Sequence, residues 1–276
     1  MKGIRLMLEG RSNISPILNH KEYDEPSVFV PENLLREARR QNAVLHGDVP
    51  KVCVLDPDGD IVRNLIASKK AALCPYWACY HTQLYNFQHD RIEFGIVGCA
   101  VGSAFAVLVA EQLFASGCQL LISVTSSGQI VPKHEPPFFV LIERALRDEG
   151  TSYHYLAPSE YAHINEGLLE KLDGAFAELT VPLHRGSTWT TDAPFRETST
   201  SIAYAKAEGI MAVEMETAAL YAFSQVRCRP VVCFAHVTNQ MGSVAGDFEK
   251  GEAAGSQDAL KVIALTARAW IGDRAE

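Results

Sequence analysis

The feature that most constrains the fold is a set of short apolar runs with little polar alternation. They are Lys51–Leu55 (KVCVL), Cys118–Val124 (CQLLISV) and Pro230–Val237 (PVVCFAHV). A strand with one wet face alternates apolar and polar residues. A run that stays apolar is a strand covered on both faces, as in a parallel sheet flanked by helices. Helical segments separate these runs. The clearest is Ser103–Ser116, stopped by Gly117, a residue that readily takes the left-handed conformation just past a helix end. The pattern predicts an α/β protein of three layers, with a central mixed, mostly parallel β-sheet between helices.

The coarse reading places further strands at Arg91–Val97, Tyr153–Leu156, Leu179–Leu183 and 210–213. It places helices after Pro31 and over Pro136–Glu149, Tyr161–Leu179, 198–208, Thr217 onward and Glu252–Ile271. Residues 61–73 fit either a strand or a helix, and 185–198 and 238–248 read as loops. Residues 1–50 are the least patterned and are expected to form an arm or cap. Residues 51–276 are expected to form a single domain, a size α/β folds commonly reach. In sheets of this kind ligands sit beyond the carboxyl ends of the strands. The loops to inspect are therefore 56–60, 98–103, 125–130, 186–197, 214–217 and 238–247.

Net charge is −8, so no basic face suggests a nucleic acid or an anionic membrane. Seven cysteines, an odd number without a CxxC pair, read as small buried hydrophobes of a reducing compartment. The longest apolar run, Ile96–Ala110, contains Gly98 and Gly102 and is too short to span a bilayer. The amino terminus carries Glu9 and lacks an apolar core of the signal-peptide kind. A cytoplasmic protein without metal or cofactor is the expectation.

Four constellations fall in the candidate loops. The most distinctive is Gly209–Phe223, GIMAVEMETAALYAF, a buried strand running into a helix with Glu214 and Glu216 at the junction. Buried carboxylates need partners, and a polyhydroxyl ligand is one. A helix start favoured by the macrodipole is the plainer account. Strand–Gly98-x-x-x-Gly102–helix offers backbone N–H groups to an anion or a hydroxyl-rich ligand, or merely permits close packing. Thr125-Ser126-Ser127-Gly128 is a donor-rich pocket or a polar turn. Trp189–Glu197 mixes aromatics with polar groups that suit a flat ring, or is a surface loop anchored by Trp189 and Phe195. Asn239-Gln240 places two amides after a buried strand, where they can read the edge of a heterocycle.

Taken in order, these segments resemble one family over roughly residues 51–270. GIMAVEMETAALYAF is similar to the VEME(S/T/G)AA signature of the nucleoside phosphorylase and nucleosidase superfamily, which includes uridine phosphorylase, purine nucleoside phosphorylase and methylthioadenosine nucleosidase. VGCAVGSAFAVLVAEQLFASGC, LLISVTSSGQI, TTDAPFRE and VTNQ stand where that family has its glycine turn, IRxGT strand, aromatic loop and base loop. The resemblance implies that Met215 and Glu216 hold the ribose, with Glu216 accepting from the 2′ and 3′ hydroxyls and Glu214 assisting. It implies that Phe195, Asn239, Gln240, Ser127 and Gly128 meet the base, with Glu216 and Asn239 acting in catalysis. Gly98, Thr125, Ser126 and Arg63 are left to contact phosphate. Asn239 stands where purine-cleaving members carry an acid, which tilts the base toward uracil or an oxopurine.

The two phosphate arginines of the family pattern are missing, and its uracil-reading arginine is replaced by Gln240. Ser123 stands for the IRxGT arginine, and the phosphate loop is matched only by Asp56-Pro57-Asp58-Gly59-Asp60, with Gly59 for arginine. Phosphorolysis with inorganic phosphate as co-substrate is the leading expectation. Hydrolysis and a non-catalytic nucleoside-binding role are the alternatives. A homo-oligomer (dimer, trimer or hexamer) is the expected assembly.

Overall fold

A computed structural model describes residues 15–241, 250 and 252–272. In chain order the elements are α1 (Pro31–Asn42), β1 (Val52–Asp56), α2 (Asp60–Ala67), β2 (Ala71–Leu73), β3 (Leu84–His89), β4 (Ile92–Gly98), α3 (Ser103–Ala115) and β5 (Leu120–Gln129). Then follow β6 (Phe138–Asp148), β7 (Tyr161–His163), α4 (Glu166–Lys171), β8 (Leu183–Thr191), α5 (Ser199–Ala207), β9 (Ala212–Glu214), α6 (Thr217–Arg227), β10 (Val231–Asn239) and α7 (Ser256–Gly272).

The ten strands form one mixed sheet, in the order β10-β6-β8-β9-β5-β1-β4-β3-β2, with β7 added on β6. The three runs that suggested doubly covered strands are at its centre. β1 lies parallel to β4 and β5, and β5 lies parallel to β10. All five residues of β1 and all nine of β10 are buried. β5 is long enough to pair with β10 along most of its length and with β9 at its end, through Gly128 and Gln129. β10, β6, β8, β9 and β5 therefore close into a ring, which an open layered sheet would not do. Helices α3 and α6 pack against each other on one side. Both are apolar around most of their circumference, with eight buried residues each, as helices within a core must be. Helix α1 rests on α3 through Leu35, Ala38 and Ala115.

Several expected elements differ. Residues 136–149 form strand β6, not a helix. Phe138–Ile142 are aromatic or β-branched or leucine and buried on both faces between β8 and β10, so cross-strand pairing rather than the flanking prolines selects the strand. Residues 153–156 are not a strand, since Thr151–His154 is a 3-10 turn. The expected helix over 161–179 is reduced to α4, preceded by β7. The strand expected at 179–183 starts only at Leu183 and runs to Thr191, through half of what read as a loop. Residues 61–73 contain both alternatives, helix α2 and then β2. The TSSG segment is the end of β5 rather than a loop. The long loop expected at 238–248 lies mostly outside the described residues. No helix among the described residues is long and apolar enough to cross a membrane.

Candidate active site

The carboxyl ends of β1, β5, β9 and β10 converge on a cleft of about 930 Å³. Four of its walls were anticipated from the loops: Asp58 after β1, Thr125, Ser126 and Gly128 at the end of β5, Glu214–Glu216 at and after the end of β9, and Asn239–Gln240 at the end of β10. The turn after β4 contributes Val101, and the 3-10 turn after β8 contributes Pro194 and Phe195.

The two glutamates at the start of α6 have different surroundings. Glu214 closes β9, beside Thr188 and Thr190 of the parallel strand β8. One of its oxygens accepts from both threonine hydroxyls, at 3.1 and 2.5 Å. The other accepts the backbone N–H groups of Glu216 and Thr217, at 2.8 and 2.7 Å. Glu214 thus caps α6 from outside the helix, because the first amides of a helix have no partner within it. Glu216 is 1% exposed. Its Oε1 accepts the Gly102 amide at 2.7 Å, and its Oε2 is 3.3 Å from the Met215 amide. Ser103 Oγ donates to the Met215 carbonyl at 2.7 Å, which ties the start of α3 to the start of α6. Gly102 has φ +89°, a conformation glycine adopts without strain. The glycine turn therefore serves a carboxylate of the protein itself.

Burial pushes both carboxyls upward. For Glu214 four donors oppose the shift. Glu216 has weaker relief, and burial followed by the charge of Glu214 takes it up to about 8. In β1, burial likewise takes Asp56 up to about 7, against the opposing Val62 amide. Between the ordinary carboxylate range and these values the folded state holds protons that the unfolded chain has released. Stability from these groups is therefore present at low pH and lost as pH rises toward 8. His236, held down to about 4 by burial, acts in the opposite sense, and its contribution is complete above about pH 6.5. Unfolding of the unliganded protein in urea at about pH 6 and about pH 8 is expected to show a loss on the order of 3 kcal/mol at the higher pH. A flat or rising profile would contradict these assignments.

Asn239 lines the cleft with its amide already oriented. Its Oδ1 accepts the Met241 N–H at 2.9 Å, and Nδ2 donates to the Ser127 carbonyl at 3.4 Å. One Nδ2 hydrogen is left to donate elsewhere. Phe195 is 98% exposed at the mouth, so it anchors nothing to the core, whereas Trp189 is buried and bonds Asp148. Thr125 and Ser126 line the cleft.

Three expected site residues lie elsewhere. Ser127 is buried behind the cleft wall, its hydroxyl on the Thr125 carbonyl. Gly98 is a packing residue, since a Cβ there would run into Val62. Arg63 turns away to the Asp60 carboxylate and the Asp58 carbonyl, each at 2.7 Å, and does not line the cleft. Gly59, where the resemblance calls for arginine, has φ +76°, and a Cβ would meet Arg63 and Cys99 at 2.6 Å. Ser123 is buried within β5.

The structure adds residues that the sequence reading did not select. Lys206 and Lys250 line the cleft, together with Asp58 and Glu197, which lie in loops named from the sequence but were not chosen as contacts. Asp58 was legible as part of the acidic loop. Lys250 had no signal, because it sits between segments with no periodicity. No arginine is among the described residues lining the cleft, and no cluster of three or more potential metal ligands occurs among the described residues.

Residues 51–268, which carry this sheet, the glycine turn and the paired glutamates, match the model of the Phosphorylase superfamily. The chain belongs to that superfamily. Among its relatives, a uridine phosphorylase of Thermococcus kodakarensis is 24% identical over 240 residues, covering 79% of this chain and 84% of the relative. A guanosine phosphorylase of Halorubrum lacusprofundi is 23% identical over 183 residues, covering 66% and 75%. The crystal structure of uridine phosphorylase from Vibrio fischeri superposes with a TM-score of 0.67 at 19% identity, covering 90% of this chain and 97% of that one. The predicted mixed α/β class is therefore met, as is the expected family of enzymes.

Proposed function

We propose that this chain cleaves the N-glycosidic bond of a ribonucleoside whose base carries a carbonyl edge, uracil-like or oxopurine-like. The observation that carries the reading is Glu216. Its carboxyl is buried at the floor of the cleft, beside Met215, with one amide near each oxygen. A carboxylate has about four acceptor sites, so lone pairs remain for the two hydroxyls of a vicinal diol. The second Nδ2 hydrogen of Asn239 suits a ring carbonyl, and Phe195 at the mouth offers a face for stacking. Residues 1–50 serve as an arm on the single domain 51–276, and a homo-oligomer is the assembly we propose.

The names of the relatives favour phosphate as the attacking group. Water is the second reading. It is favoured by the absence of an arginine among the described lining residues and by the carboxylate of Asp58 in the wall. The test is release of free base from uridine, inosine, guanosine and adenosine, each compared with its 2′-deoxy form. Uridine or the oxopurine nucleosides are expected to be cleaved in preference to adenosine. Loss of one charge-assisted hydrogen bond should cost the deoxy substrate roughly tenfold or more in kcat/KM. Preference for adenosine, or indifference to the 2′ hydroxyl, would count against the assignments of Asn239 and Glu216.

A further inference from the structure

The loop after β1 is the part of the cleft that departs furthest from a phosphate site. Asp58 enters the wall there, and its Oδ2 accepts the backbone N–H of Ser126 at 2.6 Å. That amide belongs to the donor-rich end of β5, the segment that sequence reasoning reserved for an anion. It is already bonded to an anion, and the anion is part of the protein. The neighbouring cation is engaged too. Lys250 Nζ lies 2.6 Å from Asp60 and 3.7 Å from Asp58. Arg63 is held outside by Asp60. A phosphate arriving here would face Asp58 and Asp60 with only a shared lysine to offset them, and would lack the bidentate guanidinium that phosphate recognition commonly uses.

A second observation concerns size. Behind Asp58 lies a small cavity of about 20 Å³ that shares Asp58, Ser126 and Lys250 with the main cleft and reaches His236. A space of this size accommodates about one water molecule, and such a water needs two to four polar partners. The lining supplies them. Inorganic phosphate, with five heavy atoms, would be left in the main cleft, facing Asp58.

We propose that the Asp58 carboxylate occupies the anion seat of the cleft and selects water over phosphate as the nucleophile, so that this chain is a ribonucleoside hydrolase. The inference rests on the reading of Glu216 as the ribose site. In the reaction, a water oxygen forms the bond to C1′ while the C1′–N bond breaks and its electron pair goes to the base nitrogen. The proton lost by the water passes to the Asp58 carboxylate, and the base nitrogen takes one from solvent. Asp58 then returns its proton to solvent. One water is consumed, and free ribose and free base are the products. Glu216 holds the diol, and Lys250 keeps Asp58 and Asp60 side by side.

Uridine, inosine and guanosine are incubated with the protein, with and without inorganic phosphate, and base, ribose and ribose 1-phosphate are quantified. Binding of inorganic phosphate alone is measured by calorimetry on the wild type and on Asp58→Asn. Asparagine keeps the shape and an acceptor for the Ser126 amide, so the fold is retained. The expected product is free ribose at a rate independent of phosphate. In Asp58→Asn, kcat should fall about 100-fold or more, the usual size of a general-base contribution, with KM nearly unchanged. The wild type should not bind phosphate, and Asp58→Asn should gain binding. Ribose 1-phosphate as the product, phosphate binding to the wild type, or an undiminished kcat in Asp58→Asn overturns the assignment to Asp58. Failure to release base from any of the three nucleosides overturns the cleavage reading itself, and the phosphate titration tells that outcome apart.

Discussion

Glu216→Gln is expected to lower kcat/KM for a ribonucleoside by about 100-fold, because two hydrogen bonds from the ribose diol to a charged acceptor become bonds to a neutral amide. Glu216→Ala should lose about another tenfold, since it also strips the Gly102 amide of its partner and leaves a buried donor unsatisfied. The pH dependence sharpens the test. In the unliganded protein burial lifts the Glu216 carboxyl to about 8, so at neutral pH it carries a proton, and a diol that donates to it favours its loss. Nucleoside affinity should therefore rise with pH toward 8 in the wild type and stay flat in Glu216→Gln, with the gap widening as pH increases. Isothermal titration with a ribonucleoside in buffers of different ionisation enthalpy would report the released proton. Parallel pH profiles in the two proteins would remove Glu216 from the ribose site.

Glu214→Ala is expected to destabilise the fold by about 3–5 kcal/mol, the cost of breaking a buried polar network by removing its central acceptor. Four donors would lose their acceptor at once: the hydroxyls of Thr188 and Thr190 and the amides of Glu216 and Thr217. For a domain of this size that corresponds to a Tm lowered by roughly 10 °C. Glu214→Gln keeps one oxygen and can turn its amide toward the threonines, which accept as readily as they donate, so its loss should be nearer 1–2 kcal/mol. The chemical denaturation midpoints of the two variants measure the difference. If Glu214→Ala melts with the wild type, the carboxylate is not the cap of α6. If the Gln variant keeps its stability but loses ribose binding, Glu214 acts on substrate instead.

The pair of acids illustrates how much was legible. Two accounts of Glu214 and Glu216 were available from pattern, a carboxylate at a helix start and a carboxylate awaiting a ligand. The first applies to Glu214, and the second is the role we propose for Glu216. The threonines of β8 decide which, and that strand was itself misread as a loop, because Thr188, Thr190 and Thr191 look like surface residues. They are buried, and Thr188 and Thr190 are satisfied by a carboxylate 26 and 24 residues further on. Phe138–Asp148 shows the same limit from the apolar side. Its residues suit a helix face as well as a strand, and pairing with β8 and β10 selects the strand, since β preference reflects cross-strand neighbours more than the backbone alone.

What the sequence by itself determined is local in origin. The doubly buried strands β1, β5 and β10, the helix α6 with its two acids, and the loops at the carboxyl ends all follow from runs of a few residues whose burial and capping needs are met nearby. What only the tertiary structure decided is the set of hydrogen bonds that join distant segments. Gly102 meets Glu216 across 114 residues, and Ser126 meets Asp58 across 68. The first fixes the Glu216 carboxyl at the cleft, where we propose that it meets the diol. The second puts the protein's own carboxylate on the Ser126 amide. Neither could be read from spacing, because a buried carboxylate takes whichever donors the closed sheet brings within about 3 Å, and that choice exists only once the strands have paired.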